Sequence, residues 1–484
     1  MNQPMNIPDQ QLIDGAWTSA RRGGTWDVVD PATEDVFHRV PFGDGSDCRE
    51  AIDAAARAFP AWAARTPYDR GAILRRAADL MRARSAELAV TTVRESGKPV
   101  AEAAGEWRVA ADLFEWFAEE GKRAYGRTIP SRVASKRMSV LRQPLGVVGV
   151  ITAWNFPAYN PARAVAAALA AGCTVVARPS EYTPLTAMAM AAILVESGVS
   201  GGAFNLVNGE PESMGQAMLD HPACRKISFT GSVRVGKLLM DGASRTMTRL
   251  SLELGGNAPV LIFPDVDVDA VARAAVQARY RNAGQVCVSP QRFLVHRSVH
   301  DAFAEKVLPH VRALRVGPGL DPETRVGPLV NKRQRDRVES LVSGAREAGA
   351  SILAGGGRPA NLPKGYFLEP AVIAGVRPEM PVAREEIFGP VLPVSSFDDL
   401  DEAVQRANDT PYGLAAYVFT RDLRTAVRAS ERLDFGIVGV NEWSAHATEA
   451  PFGGRKESGV GRECGSEGLA EYLEEKLVSI GGIE

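Results

Sequence analysis

Cysteine is scarce in this chain. The 484 residues contain five (Cys48, Cys173, Cys224, Cys287 and Cys464), odd in number and widely spaced, with no Cys-x-x-Cys pair. That argues against a disulfide framework and against a zinc site, and for a reducing compartment. The expected setting is therefore cytoplasmic, with no metal. Long apolar runs are also missing. The most apolar stretches, around Leu145–Trp154 and Val165–Ala171, are short, well below the roughly 20 residues that span a bilayer. The segment Met1–Gln11 is polar and lacks the apolar core of a secretory signal. Excess charge of either sign is absent too, since 56 Lys and Arg face 58 Asp and Glu. With no basic cluster, neither nucleic acid nor an anionic membrane is an expected partner. No internal repeat or low-complexity tract is visible.

What is present is globular material, 45% hydrophobic and 24% charged, long enough for two or three domains. Residues 45–123 read as helical, with amphipathic periodicity through Cys48–Ala58, Tyr68–Glu87 and Val100–Gly121. From Leu145 the pattern changes to short apolar runs alternating with helices. Gly146–Thr152, Thr174–Ala177, Phe204–Val207, Lys226–Phe229 and Leu250–Leu254 read as strands of one unit. Pro259–Ile262 and Arg292–Val295, separated by the helical Val268–Tyr280, begin a second. Strand and helix in alternation predict α/β architecture with parallel sheets covered on both faces, with a boundary near Glu253–Asn257. The tail Leu469–Ile480 starts helical and ends strand-like, so it needs a partner edge in its own chain or a neighbouring copy.

Several residues stand out chemically. Cys287 follows a predicted helix and Gly284 in a run of small residues that would expose a thiol, although a buried cysteine is the ordinary alternative. Glu253 sits between Leu252 and Leu254 at a strand end, before Gly255 and Gly256. Buried there, its carboxyl would have a raised pKa, as a general base needs; a solvent-facing strand residue is the alternative. Asn155 lies at the C-terminal end of a predicted parallel strand, where open sheets bind ligands and where a side-chain amide could donate to an oxyanion. A turn-forming Asn before Pro157 is the plainer reading. Phe229–Thr230–Gly231–Ser232 ends a strand and opens a helix, so Gly231 and Ser232 suit the approach of a diphosphate. It is not the Gly-x-Gly-x-x-Gly fingerprint.

Taken in order, these segments resemble the aldehyde dehydrogenase superfamily over nearly the whole chain. The matching pieces are Ala153–Trp154–Asn155–Phe156–Pro157, Arg178–Pro179–Ser180–Glu181 and Phe229–Thr230–Gly231–Ser232. Leu252–Glu253–Leu254–Gly255–Gly256–Asn257, Gly284–Gln285–Val286–Cys287, Glu385–Glu386–Ile387–Phe388–Gly389–Pro390 and Pro451–Phe452–Gly453–Gly454–Arg455–Lys456 complete the series. The resemblance implies two doubly wound parallel-sheet domains plus a small β oligomerisation element. The cofactor domain would hold residues 1–122 and 145–252, the catalytic domain 253–455, and the small element 123–144 and 456–484. A homo-oligomer, dimer or tetramer, is implied as well.

The same resemblance implies NAD(P)-dependent oxidation of an aldehyde. Cys287 would be the nucleophile, Asn155 with the Cys287 backbone N–H the oxyanion donors, Glu253 the base that hydrolyses the thioester, and Glu463 a proton relay. Glu253 speaks against the CoA-acylating branch. Cofactor contacts are implied for Thr152, Trp154, Arg178, Ser180, Glu181, Gly231, Ser232, Leu254, Glu386 and Phe388. The family usually has Lys where Arg178 stands. Glu181 would chelate the adenosine ribose and favour NAD, whereas Arg178 is a ready phosphate ligand that keeps NADP open. The nearest subgroup is that of succinate- and α-ketoglutarate-semialdehyde dehydrogenases. There Arg163 and Arg281 would grip the substrate's far carboxylate, with His446 or Ser444 in place of an assisting serine; a sheet-edge salt bridge for Arg163 and a helix-surface charge for Arg281 are the plainer readings. Ser289 stands where some relatives carry a second cysteine. Neutral, aromatic and betaine aldehydes are the alternative substrates.

Overall fold

In the computed structural model, which describes residue 5 and residues 7–483, the expected alternation from Val147 onward closes into a sheet. Its centre is five parallel strands in spatial order Phe204–Leu206, Thr174–Arg178, Val147–Ile151, Cys224–Thr230, Arg249–Glu253. Apolar residues fill both faces. Val148 and Val175 enter the core that contains helix Tyr159–Ala171. Val147 and Val176 enter the one that contains helix Gly45–Ala63. Such two-sided burial is what continuous Val-rich runs produce. The order reverses between Val147–Ile151 and Cys224–Thr230, and a crevice opens beyond the strand ends at such a switch point.

Four helices (Gly45–Ala63, Pro67–Ala83, Ser85–Ser96 and Val100–Glu120) fill the region expected to be helical. Asp44 caps the first in a reciprocal box with Asp47, which satisfies backbone donors a helix start leaves open. No strand is expected from the sequence before these helices. Gln11–Ile13 and Ala16–Thr18 nevertheless add antiparallel to the sheet's edge, and Thr25–Val29 pairs with Val36–Pro41. Residues 1–4 and 6, part of the polar N-terminal segment, lie outside the described residues.

Residues 254–257 lead directly into a second sheet. Its order is Ser351–Ala354, Ala371–Ala374, Val391–Phe397, Pro290–His296, Ala258–Ile262, Ala415–Phe419, Ile437–Val440, all parallel except the first pair. A small antiparallel sheet joins Leu473–Ile480 to Arg137–Pro144 and Arg127–Ile129. Both large sheets are thus parallel-rich but mixed. The expected 456–484 element divides: Gly459–Val460 pairs antiparallel with Leu252 and Glu253 on the first sheet, and only the final strand enters the small sheet. No described helix is long and apolar enough to cross a membrane.

Candidate active site

The cleft at the switch point has a volume of about 410 Å³. Trp154 and Asn155 reach it from the end of strand Val147–Ile151, Gly231 and Ser232 from the end of Cys224–Thr230, and Glu253 and Leu254 from the end of Arg249–Glu253. Residues around the second sheet contribute Cys287, Glu386 and Phe388. Topology therefore gathers residues more than 200 positions apart.

The turn before Cys287 has an unusual backbone. Asn282, Ala283 and Gly284 have φ of 48°, 52° and 73°, three consecutive residues in the left-handed region that L side chains disfavour. Strain of this kind persists only where surroundings over-determine it. Here the Asn282 backbone N–H donates to Glu102 Oε2 at 2.8 Å, and its Nδ2 donates to the Asn155 carbonyl at 2.9 Å. Gln285 Oε1 accepts from the Val330 N–H at 3.0 Å. Gly284 is required as glycine, because a Cβ there would meet the Gly389 carbonyl oxygen at 2.2 Å.

Asn155 is buried. Its Nδ2 donates to the Gln285 carbonyl at 3.1 Å, and its Oδ1 accepts from Asn160 Nδ2 at 3.0 Å. An amide nitrogen carries two protons, so one N–H remains for another acceptor. Burial pushes the Cys287 thiol up to about 12, Arg163 opposes, and Glu253 and Glu386 add to the rise. Glu253 is 3% exposed, with no hydrogen-bond partner for Oε2. Burial and the nearby Glu463 raise its pKa well above the carboxylate range, against the pull of Arg163 and Arg462. Gly453 packs against it, since a Cβ there would lie 3.0 Å from Glu253 Oε1. The Glu386 carboxylate accepts from the Gly256 N–H at 2.8 Å, and burial raises its pKa to about 7. Phe388, also left-handed at φ 52°, meets Trp154 edge-on with centroids 5.3 Å apart. Ser232 caps helix Val233–Ala243 by accepting from the Val235 N–H at 3.4 Å.

Thr152 follows strand Val147–Ile151 and its N–H donates to the Arg178 carbonyl at 3.2 Å, while Arg178, Ser180 and Glu181 stand at the end of the neighbouring strand Thr174–Arg178. Arg178 has protein partners for its guanidinium. Its guanidinium is buried, pairs with Glu181 Oε2 at 2.9 Å and donates to the Gly209 carbonyl at 2.8 Å. The paired arrangement commits both charges to one another.

Arg163 and Arg281 differ in their surroundings. Arg163 is 2% exposed, its Nε 2.9 Å from Glu463 Oε2, its Nη2 donating to Asn160 Oδ1 at 3.2 Å. It lies between the Tyr159 and Phe452 rings, so the helix from Tyr159 turns it inward. Glu463 is buried rather than on the surface, and also accepts from Ser228 Oγ at 3.2 Å. Arg281 alone lines a second cavity of about 470 Å³ with Glu102, Phe156, Tyr159, Ser444 and His446. Arg281 lies over the Phe156 ring at 5.2 Å. Burial, then Arg281 and Arg163, push His446 down to about 4, so it is neutral at pH 7. The Asn155–Phe156 step carries one wall from the first cavity to the second.

Sequence reasoning missed Lys98, Glu102, Glu106 and Asn282. The first three are remote in the chain from every motif; Asn282, an Asn two residues before Gly284, offered a weak local signal for left-handed backbone.

The sequence profile of the aldehyde dehydrogenase family matches residues 17–478. The chain is 44% identical to the NADP-dependent succinate-semialdehyde dehydrogenase of Escherichia coli over 481 residues, 99% of each protein. It is 42% identical to the 3-sulfolactaldehyde dehydrogenase of Pseudomonas putida, covering 100% of this chain and 99% of that one. The crystal structure of a succinate-semialdehyde dehydrogenase from Burkholderia pseudomallei superposes with a TM-score of 0.97 at 45% identity, over 100% of each chain.

Proposed function

This chain belongs to the aldehyde dehydrogenase family, and from that premise we propose that it oxidises a semialdehyde acid, such as succinate semialdehyde, through a thioester on Cys287. The observation that carries the reading is one cleft lined by a thiol, a buried amide with an N–H to spare and a buried carboxyl with an unpartnered oxygen. A nicotinamide dinucleotide supplies the hydride acceptor when bound. The cleft's residues fit it: Trp154 and Phe388 offer ring faces, Leu254 an apolar contact and Glu386 a carboxylate. Gly231 and Ser232 open a helix whose N-terminus suits a diphosphate. NAD is the proposed cofactor; the NADP dependence of the Escherichia coli relative supports NADP use as well.

The resting thiol, raised to about 12, must lose its proton before it can attack. Glu253, once deprotonated, is the carboxylate in the cleft that takes it. The thiolate then adds to the aldehyde carbon, and the alkoxide accepts the free Asn155 N–H. Once the thioester has formed, Glu253 takes a proton from water, and the hydroxide displaces Cys287 to release the acid. Two protons leave per turnover, and Glu463, beside Glu253 and anchored by Arg163, passes them on. Arg281, with neutral His446 as a hydrogen-bond partner, holds the substrate's remote anion in the second cavity. We place Arg163 with the proton-handling groups instead. A sulfonate would suit Arg281 equally, in keeping with the Pseudomonas putida relative. The tail strand, with Leu477 60% and Ile480 50% exposed, is proposed to pair with another copy in a dimer or tetramer.

Initial rates of NAD(P)H formation test the substrate. The panel is succinate and glutarate semialdehyde, a sulfonated aldehyde, butanal and benzaldehyde, for the native chain and Arg281→Ala. A charge-assisted contact contributes roughly 1.5–3 kcal/mol, so Arg281→Ala should lower kcat/KM about 10- to 100-fold for anionic aldehydes only. If butanal or benzaldehyde is the best substrate and Arg281→Ala changes nothing, the assignment to anionic aldehydes is wrong.

A further inference from the structure

The mechanism above uses neither Lys98 nor Glu106, although both are buried. Lys98 stands between Gly97 and Pro99 at the start of helix Val100–Glu120, and Glu106 lies two turns into that helix. Their side chains are each 1% exposed and form an ion pair. The Lys98 ammonium also donates to the Asn155 carbonyl at 2.8 Å and lies 4.3 Å from the Phe156 ring centre. The other oxygen of Glu106 accepts from the Ala158 and Tyr159 N–H groups, at 2.7 and 3.1 Å. The Asn155 carbonyl has a second donor, Asn282 Nδ2 at 2.9 Å, from the left-handed turn before Cys287. That turn is tied to the same helix by Glu102, which accepts from the Asn282 N–H at 2.8 Å.

One helix therefore grips both halves of the site. A buried ion pair is a poor device for stability alone, because well-packed apolar residues often serve as well or better. Its value here is directional: three hydrogen bonds from the pair fix the peptides from Asn155 to Tyr159 in orientation as well as position. We propose that Lys98 and Glu106 are positioning residues, which hold the Asn155 backbone against the Cys287 turn so that the Asn155 amide meets the alkoxide formed at the thiol. The proposal rests on the reading of Asn155 as the oxyanion donor.

The test uses the full chain in four forms: Asn155→Ala, Lys98→Met with Glu106→Gln together, the combination of all three, and Lys98→Arg. Removing both charges at once avoids stranding one of them. Single-turnover NAD(P)H formation, cofactor affinity and the thermal midpoint are measured for each. The paired variant should bind cofactor within about twofold of the native chain yet form NAD(P)H about 100-fold more slowly, the scale of losing one oxyanion donor. Because both act through one amide, adding the pair to Asn155→Ala should slow the burst by less than about threefold more. A native burst in the folded pair variant overturns the proposal, as does multiplication of the two losses in the triple variant. Should the pair variant not fold, Lys98→Arg decides. Its differently shaped head should slow the burst at least about tenfold at unchanged cofactor affinity, and an unchanged burst overturns the proposal. An unimpaired Asn155→Ala would instead sink the oxyanion reading on which it rests.

Discussion

Replacing Gly256 by alanine would press directly on the nucleophile. The added Cβ would lie 2.3 Å from the Cys287 carbonyl oxygen, 3.4 Å from its carbonyl carbon and 3.5 Å from Leu414 Cβ. Comfortable carbon contacts begin near 3.5 Å, so the two backbones must part by roughly 1 Å. The Gly256 side cannot yield easily. Its N–H is held by Glu386 at 2.8 Å, and the adjacent Asn257 amide donates to the Ala383 and Arg384 carbonyls at 3.0 Å each. The displacement therefore falls on Cys287. Overpacking of this kind destabilises by about 1–3 kcal/mol, whereas a shift of about 1 Å in a reacting group lowers the rate on the order of 100-fold. The assay is kcat/KM with a thermal melt, beside Gly344→Ala as a control. Gly344 is in helix Lys332–Glu347 with nothing within 4 Å of a Cβ, so that variant should be active and about 0.5–1 kcal/mol more stable. Retention of activity within about threefold by Gly256→Ala would refute the claim that this contact sets the thiol's position.

The pH dependence has a definite sign. Burial and Glu463 hold the Glu253 carboxyl protonated above the ordinary carboxylate range, while Arg163 opposes them. A base must be deprotonated to act, so thioester hydrolysis should accelerate as pH rises above the ordinary carboxylate range; thiolate formation at Cys287 rises in the same direction. Stopped-flow rates between roughly pH 6 and 9 check this, and a falling profile would contradict it. Cofactor choice is testable at the Arg178–Glu181 pair. Glu181→Gln releases the guanidinium from its 2.9 Å partner, so kcat/KM for NADP relative to NAD should increase about tenfold.

Much of the chemistry was legible because it is local. Glu253 between leucines ahead of two glycines, and Asn155 at a strand end, carry their meaning in a few residues, and both sites lie where the strand pattern put them. The central strands and helices were readable for the same reason, since burial on two faces writes continuous Val-rich runs. Partner choice was not legible. Nothing near Arg163 in sequence indicates that Glu463, three hundred residues on, takes its guanidinium, so a salt bridge and a carboxylate-gripping role look alike there. At closer range, the i+3 spacing of Arg178 and Glu181 does not show whether the two pair with each other or with a ligand; the structure pairs them. The short edge strands Gln11–Ile13 and Gly459–Val460 carry too few residues to show a period; their pairing is decided by the exposed edges they cover.

The most direct test of the thioester account is intact-protein mass after mixing Glu253→Gln with succinate semialdehyde and NAD(P). With the base removed, hydrolysis should stall, leaving one acyl group on Cys287 and a burst of one NAD(P)H per active site. Steady turnover at the native rate with no adduct on Cys287 would contradict the account.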